Sequence, residues 1–226
     1  MRGRDAPPAP RSRAAALARE YLARGDATGW FEALYREAAG DPSRISWADL
    51  APNPSLVRWV SDWGFCGAGK RALVVGSGLG DDAEYLAGLG CAVTAFDVSE
   101  TAVGWCRRRF PDSRAAYRVA DLFALPAEWR AGFDFVLEAY TLQVLPEPLR
   151  PRAMEALAQT LAPGATLLVI TRGRDPAAPL PVMPWPMTKA EVGFFARLGL
   201  REIRLADFFD AETPPVRRLL AEYRRP

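Results

Sequence analysis

Hydrophobic and polar positions along this chain follow two different periods. Near the N-terminus Ala14, Leu17, Ala18, Tyr21 and Leu22 recur at helical spacing and Gly25 ends the run, predicting a helix over residues 13–23. Trp30, Leu34, Tyr35 and Ala38 mark a second amphipathic helix, closed by Gly40, Asp41 and Pro42. Ser55 is the expected cap of a third, which presents Leu56, Trp59, Val60 and Trp63. From residue 73 the rhythm changes. Short apolar runs at 73–75, 92–96, 116–120, 133–137 and 166–170 read as strands. Helical patterns near 82–89, 100–110 and 149–161 alternate with them, the last stopped by Pro163 and Gly164, and an irregular stretch surrounds Pro126. Such alternation predicts a doubly wound α/β fold, with a mostly parallel sheet, right-handed crossovers and helices on both faces.

Pro176, Pro179, Pro181, Pro184 and Pro186 then break the pattern, giving a long stiff loop at the carboxyl edge of the sheet, where α/β folds bind ligands. Thr188 and Glu191 have capping-box spacing and open the last helix. Residues 200–208 and 216–223 read as two strands joined through Pro214 and Pro215, although 216–223 also fits a helix. The expected organisation is a disordered tail over 1–12 and one domain over 13–226. That domain divides into a helical lid over 13–64 and a Rossmann-like core over 70–226.

Half of the 226 residues are apolar, which suits one domain with a full core. The 29 basic and 27 acidic residues nearly cancel and are scattered, so no basic face for nucleic acid is expected. The run Arg107-Arg108-Arg109 reads as a solvated helix end, where cations favour the helix dipole. Cys66, Cys91 and Cys106 lack paired spacing and read as free thiols of a reducing compartment. Histidine is absent, which removes the commonest metal ligand and the commonest general base, so no metal site is expected. No apolar run approaches the ~18 residues of a membrane helix, and the N-terminus lacks the apolar core of a signal peptide. A cytosolic protein without membrane association is expected.

The densest chemistry lies in residues 73–97. Gly76, Gly78 and Gly80 form a turn after the first strand, and Asp97 follows the second strand about 20 residues later, the separation at which a carboxylate meets ribose hydroxyls. Asp81 and Asp82 occupy the third position of a dinucleotide fingerprint and the one after it. Two carboxylates there would repel a pyrophosphate by several kcal/mol at an effective dielectric near ~20, whereas a sulfonium and an ammonium are tolerated. That disfavours a nicotinamide-dependent oxidoreductase and favours S-adenosylmethionine. The two acids also suit capping of the following helix.

These residues resemble a known family. ALVVGSGLGDDAEYLAGLGCAVTAFDVSETAV, VADLF, FDFVLEAYTLQVLP and LAPGATLLVI are similar to the successive motifs of class I S-adenosylmethionine-dependent methyltransferases, and FDVSETAV is closest in style to the thiopurine and thiocyanate branch. The resemblance implies a seven-stranded sheet of order 3-2-1-4-5-7-6 with a terminal antiparallel pair. It implies a glycine loop at Gly76, Gly78 and Gly80, a ribose acid at Asp97 with Val98 beside the adenine, and an adenine acid at Asp121 followed by Leu122. Glu138 falls where the family places residues facing the reacting methyl, and Trp47 where a tryptophan covers the methionine end of the cofactor. Ala120 and Ala165 replace glycines often seen in the family.

Glu138 and Tyr140 are the candidate catalytic residues, Glu138 as a hydrogen-bonding partner or proton acceptor and Tyr140 orienting the acceptor. Trp30 and Tyr35 face either substrate or core. Without an imidazole base, sulfur or nitrogen acceptors on a small molecule are favoured over oxygen. A catalytically silent protein that binds the same cofactor and serves a partner is the alternative.

Overall fold

The structure, a computed structural model, describes residues 9–181 and 183–226. Helix α1 (Pro10–Ala23) begins with proline at its first turn, where the missing N–H costs nothing. The expected tail over 1–12 is therefore helical from residue 10, and its residues 1–8 lie outside the described residues. Helix α2 (Gly29–Ala38) follows, and then α3 (Pro54–Trp63), whose cap is Asn53 rather than Ser55: the Ser55 amide donates to Asn53 Oδ1 at 2.9 Å.

The core is built from β1 (Arg71–Val75), α4 (Asp81–Gly88), β2 (Ala92–Asp97), α5 (Glu100–Arg109), β3 (Ala116–Val119) and β4 (Phe133–Ala139). It continues through α6 (Arg150–Thr160), β5 (Leu161–Arg172), the short helices α7 (Lys189–Val192) and α8 (Phe194–Arg197), β6 (Arg201–Phe209) and β7 (Arg217–Arg224). One seven-stranded sheet has the order β3-β2-β1-β4-β5-β7-β6, with β5, β7 and β6 paired antiparallel and the rest parallel.

Both faces of the sheet are covered, and strand parity decides which residue goes where. Leu73, Val75, Val136, Leu167 and Val169 meet α6 and α8 through Met154, Leu157 and Phe195. Ala72, Val74, Leu137, Leu168 and Ile170 face α3, α4 and α5 through Leu56, Trp59, Leu86 and Val103. Helix α3 thus packs on the sheet. By contrast α1 and α2 gather with Leu79, Trp105 and Met183 into a third cluster above the carboxyl ends of the strands.

Two local expectations differ from the structure, and the second strand of the terminal pair is present as expected. Pro163 and Gly164 lie inside β5, at the register shift between the Phe133–Leu161 and Phe135–Thr166 pairs, so they bulge a strand rather than stop the helix, which ends at Thr160. The Thr188–Glu191 capping box is formed, but Gly193 divides the last helix into α7 and α8. Residues 217–224 are a strand held between β5 and β6. Their apolar run reads equally as a helix because Leu219, Ala221 and Tyr223 are buried on one face and Leu220 on the other, which removes the alternation.

Candidate functional site

A cavity of about 660 Å³ opens above the carboxyl ends of β1, β2 and β4 and is roofed by α1, α2 and the segment holding Trp47. Its floor is the turn after β1. Gly76 and Gly78 have φ of 59° and 53°, in the left-handed region that excludes most side chains. A Cβ on Gly76 would stand 2.4 Å from Thr141 Oγ1, whereas one on Gly78 would meet only Tyr35 Oη at 3.5 Å and Trp47 Nε1 at 4.0 Å. Gly78 thereby brings bare backbone to the chamber. The loop is pinned over β2 by the Ser77 amide, which donates to the Phe96 carbonyl at 2.8 Å, and by the Gly78 amide, which donates to Asp97 Oδ2 at 3.0 Å.

Asp97 is buried and lines the cavity, and its Oδ1 accepts from the Ser99 amide at 2.9 Å. Burial raises its pKa to about 6, against the lowering effect of the amide bonds. Each oxygen keeps acceptor capacity for a ligand hydroxyl. Ser99 in turn caps α5 and donates to Glu32 of α2, which also accepts from Thr101. The roof and Asp97 therefore belong to one hydrogen-bonded network.

Val98, Asp121 and Leu122 line the same chamber at the mouth of β2 and β3. Asp121 caps a 3₁₀ turn through the Phe123 amide at 2.8 Å. Trp47 lines it from above, its indole N–H donating to Tyr35 Oη at 2.9 Å, and Tyr35 is itself a wall of the chamber. Tyr140 lines the opposite side at φ 67°, with the Arg218 guanidinium 4.9 Å from its ring.

Two candidates sit elsewhere. Gly80 is buried beneath the loop, and a Cβ there would lie 2.6 Å from Tyr117 Oη, so its left-handed φ of 93° serves packing against β3. Gly80→Ala is expected to cost about 2–4 kcal/mol from backbone strain and overpacking, read as a lower Tm. Glu138 is fully buried and is not a wall of the cavity. Its Oε1 accepts from the Thr141 and Leu142 amides at 2.7 and 2.8 Å, while Oε2 has no partner among the described residues. Burial lifts its pKa to about 7.

The acids at the loop differ in charge environment. Asp81 is held bidentately by Arg109, with contacts of 2.9 and 2.8 Å, and so does not act as a bare anion. The arginine run is therefore structural at Arg109, and at Arg107, whose guanidinium donates to the Tyr117 carbonyl. Asp82 remains. It lines the cavity, accepts from the Asn53 amide at 2.6 Å, and is raised to about 6 by burial. Together with Asp97 it keeps this end acidic and unsuited to pyrophosphate.

Arg172, Arg218, Asp210 and Glu212 form the far end of the chamber, and the sequence reading did not include them. Proximity of β5 to the hairpin of β6 and β7 brings them together, and no local motif signals it. Among the described residues no group of His, Cys, Asp or Glu is arranged to hold a metal ion, and no helix is long and apolar enough to cross a membrane.

Residues 72–164 match the family described as a methyltransferase domain. That match takes in β1 to β4 and the turn that carries Gly76 and Gly78. The ubiquinone biosynthesis O-methyltransferase of Xanthomonas campestris pv. campestris (strain B100) is 38% identical over 112 residues, 49% of this chain and 46% of that protein. The chain thus spans about half the length of the curated relatives it matches.

The chain is also similar to a solved structure concerning conversion of a disulfide bond into a thioacetal group during echinomycin biosynthesis. That likeness has a TM-score of 0.70 and 28% identity and covers 88% of this chain and 92% of the other. The Burkholderia thailandensis 1,6-didemethyltoxoflavin-N1-methyltransferase, solved with S-adenosylhomocysteine, shares the fold at TM-score 0.68 and 19% identity, covering 98% of this chain and 92% of the other. The residues around the turn after β1 fit S-adenosylmethionine. Gly78 leaves room for it, Asp97 presents acceptors, and the buried Ser77 Oγ has no partner among the described residues.

Proposed function

We propose that this protein transfers the methyl group of S-adenosylmethionine to a small-molecule nucleophile held in the far half of the cavity. The observation that carries this reading is the continuity of one chamber from Gly78 and Asp97 to Tyr140 and Arg172. Bound there, the cofactor supplies an electrophilic methyl on a sulfonium. The chain holds the acceptor close and in line, where positioning accounts for most of the rate. Trp47 and the α1–α2 roof exclude water, which favours attack by an anionic acceptor. We assign residues 13–64 the role of helical cover over the core at 70–226, with α1, α2 and the Trp47 segment as its moving part.

Sulfur or nitrogen acceptors suit the site better than oxygen. The chain has no histidine, and burial raises the Tyr140 phenol above its ordinary pKa. The Glu138 carboxylate faces backbone amides. A thiolate or amine that enters ready to attack needs no base. The thiopurine and thiocyanate style of FDVSETAV points the same way, as does the sulfur chemistry of the 28%-identical neighbour. The acceptor enters as a metabolite-sized molecule, and the near balance of basic and acidic residues argues against nucleic acid, in keeping with a cytosolic enzyme. Incubation with S-adenosylmethionine and a panel of thiols, amines and phenols is expected to release S-adenosylhomocysteine with thiols or amines. Turnover of phenols alone would overturn the acceptor assignment, and absence of any turnover despite cofactor binding would favour a silent binding protein.

Affinity for S-adenosylhomocysteine is expected to rise with pH through about 6. Asp97 has a raised pKa in the unliganded protein, and only its ionised form is a full acceptor for hydroxyl donors, so binding draws it toward ionisation. Between pH 5 and 7.5 a gain of up to about tenfold is expected, one pKa unit being a factor of ten. Calorimetry with wild type and Asp97→Asn checks it, the variant keeping only the shallower dependence that Asp82, also raised to about 6, contributes.

A further inference from the structure

We propose that the far end of the cavity is an anion seat, in which Arg172, assisted by Arg11, grips a carboxylate or other oxyanion group of the methyl acceptor. The inference rests on the methyltransferase reading and names the substrate class that this site takes.

Arg172 and Arg218 are direct partners across the antiparallel β5–β7 pair, so their side chains project from the same face of the sheet. Like charges in that position are destabilising unless something offsets them. For Arg218 the offset is present: its Nε donates to Asp210 Oδ2 at 2.6 Å and its Nη2 reaches Glu212. Arg172 has no carboxylate within ion-pair distance among the described residues, although it is partly buried and lines the chamber. Arg11 of α1 lines the same chamber and adds a third positive charge. Burial first, then Arg11 and Arg218, press the Arg172 guanidinium below its ordinary pKa.

The backbone beneath Arg172 is fixed. Its amide donates to Gln143 Oε1 at 2.7 Å, and the same oxygen accepts from Thr171 Oγ1 at 3.1 Å. An uncompensated guanidinium carried on a fixed backbone at the wall of a ligand chamber is a receptor for a planar oxyanion, which it can bind with two parallel hydrogen bonds. The chamber is then bipolar. Asp82 and Asp97 stand at the cofactor end, and Arg172 stands at the acceptor end, on the other side of Tyr140.

The test uses the full chain saturated with S-adenosylhomocysteine, titrated with benzoate and with its neutral isostere benzamide. Benzoate is expected to give measurable heat and to raise Tm, with benzamide weaker. Arg172→Leu is expected to lose benzoate affinity about 10- to 100-fold, the range for a hydrogen-bonded charged group. Its affinity for S-adenosylhomocysteine is expected to stay within about threefold of wild type, and its Tm should not fall, because a like-charge pair has been removed. Arg172→Lys is expected to retain part of the benzoate binding. The exposed Arg108→Leu controls for net charge and should change nothing.

Equal binding of benzoate and benzamide would overturn the proposal. So would an Arg172→Leu variant that weakens S-adenosylhomocysteine as strongly as benzoate, since Arg172 would then serve the cofactor's own carboxylate. Should wild type bind no S-adenosylhomocysteine, the methyltransferase reading fails, and the benzoate titration on unliganded protein still decides the anion seat by itself.

Discussion

Asp97→Ala is expected to abolish S-adenosylhomocysteine binding, at least a 100-fold loss by calorimetry, in a protein that still folds. The carboxylate has two jobs. It pins the Gly78 and Ser99 amides, at 3.0 and 2.9 Å, and it presents its remaining acceptor capacity to the cavity. Two ribose hydroxyl bonds to a charged acceptor are each worth about 1.5–3 kcal/mol, which already spans the expected loss. Release of Gly78 adds to it, because the loop backbone must hold its shape to admit the ligand.

Stability moves the other way with pH. The folded-state pKa of Asp97 is about 6, above its ordinary value of 3.8. Its contribution is therefore most favourable at low pH and is lost as pH rises from about 4 through about 6. At pH 7.5 the ionised group is a net burden on the unliganded fold. The alanine variant sheds that burden while losing two amide bonds, so its Tm should lie within a few degrees of wild type. A collapsed Tm, or retained binding in a folded variant, would remove Asp97 from the cofactor site.

The parts of this molecule that the sequence exposes are those that backbone geometry dictates locally. Residues 73–75 can be assigned to a doubly covered strand because every position is apolar, and parity then sends Leu73 and Val75 to one face and Val74, with the preceding Ala72, to the other. Gly76, Gly78 and Asp97 are legible since a crossover fixes the spacing between a turn and the end of the next strand. Gly80 misleads for a different reason. It belongs to the same motif, but its constraint comes from Tyr117, a contact across the fold. Asp81 misleads likewise, because the arginine that neutralises it lies 28 residues away.

The acceptor end was illegible altogether. Arg172 and Arg218 meet only through the β5–β7 register, and Asp210 with Glu212 reach Arg218 from the hairpin turn. The Arg218 contacts to Asp210 and Glu212 span only 8 and 6 residues, but the meeting with Arg172 depends on the strand register and has no local signal. The tail boundary failed for a smaller reason: proline-rich composition suggested disorder, yet Pro10 is a favourable first residue for the helix that follows.

Glu138 is where sequence and structure part most sharply, and its substitution separates the two readings. By position it faces the reacting methyl; by geometry it is a positioning residue for the wall behind it. Its Oε1 holds the Thr141 and Leu142 amides, opening the turn that carries Gln143, and Gln143 in turn holds Thr171 and Arg172. Thr141 reaches back to the Val75 carbonyl at 3.2 Å, beneath Gly76. Glu138→Ala leaves two amides without their partner and opens a void, for an expected loss of about 3–5 kcal/mol.

Glu138→Gln keeps one oxygen for both amides and replaces the unpartnered Oε2 with a neutral group. The folded-state pKa of Glu138 is about 7, above its ordinary 4.5, so its favourable neutral form is present at low pH and is lost as pH rises through about 7. At pH 8.5 the buried carboxylate costs on the order of 3 kcal/mol, from a displacement of two to three pKa units. The loss begins near the ordinary pKa of 4.5, so the glutamine variant should match the wild-type Tm near pH 4 and exceed it at pH 8.5. Asp82 and Asp97 titrate alike in both proteins and cancel from the comparison. Turnover of an acceptor found in the panel is expected to persist within a few fold, whereas loss of a proton acceptor would cost about 10²–10⁴ in kcat. A glutamine variant that is stable at pH 8.5 yet loses that much activity would return Glu138 to the catalytic site.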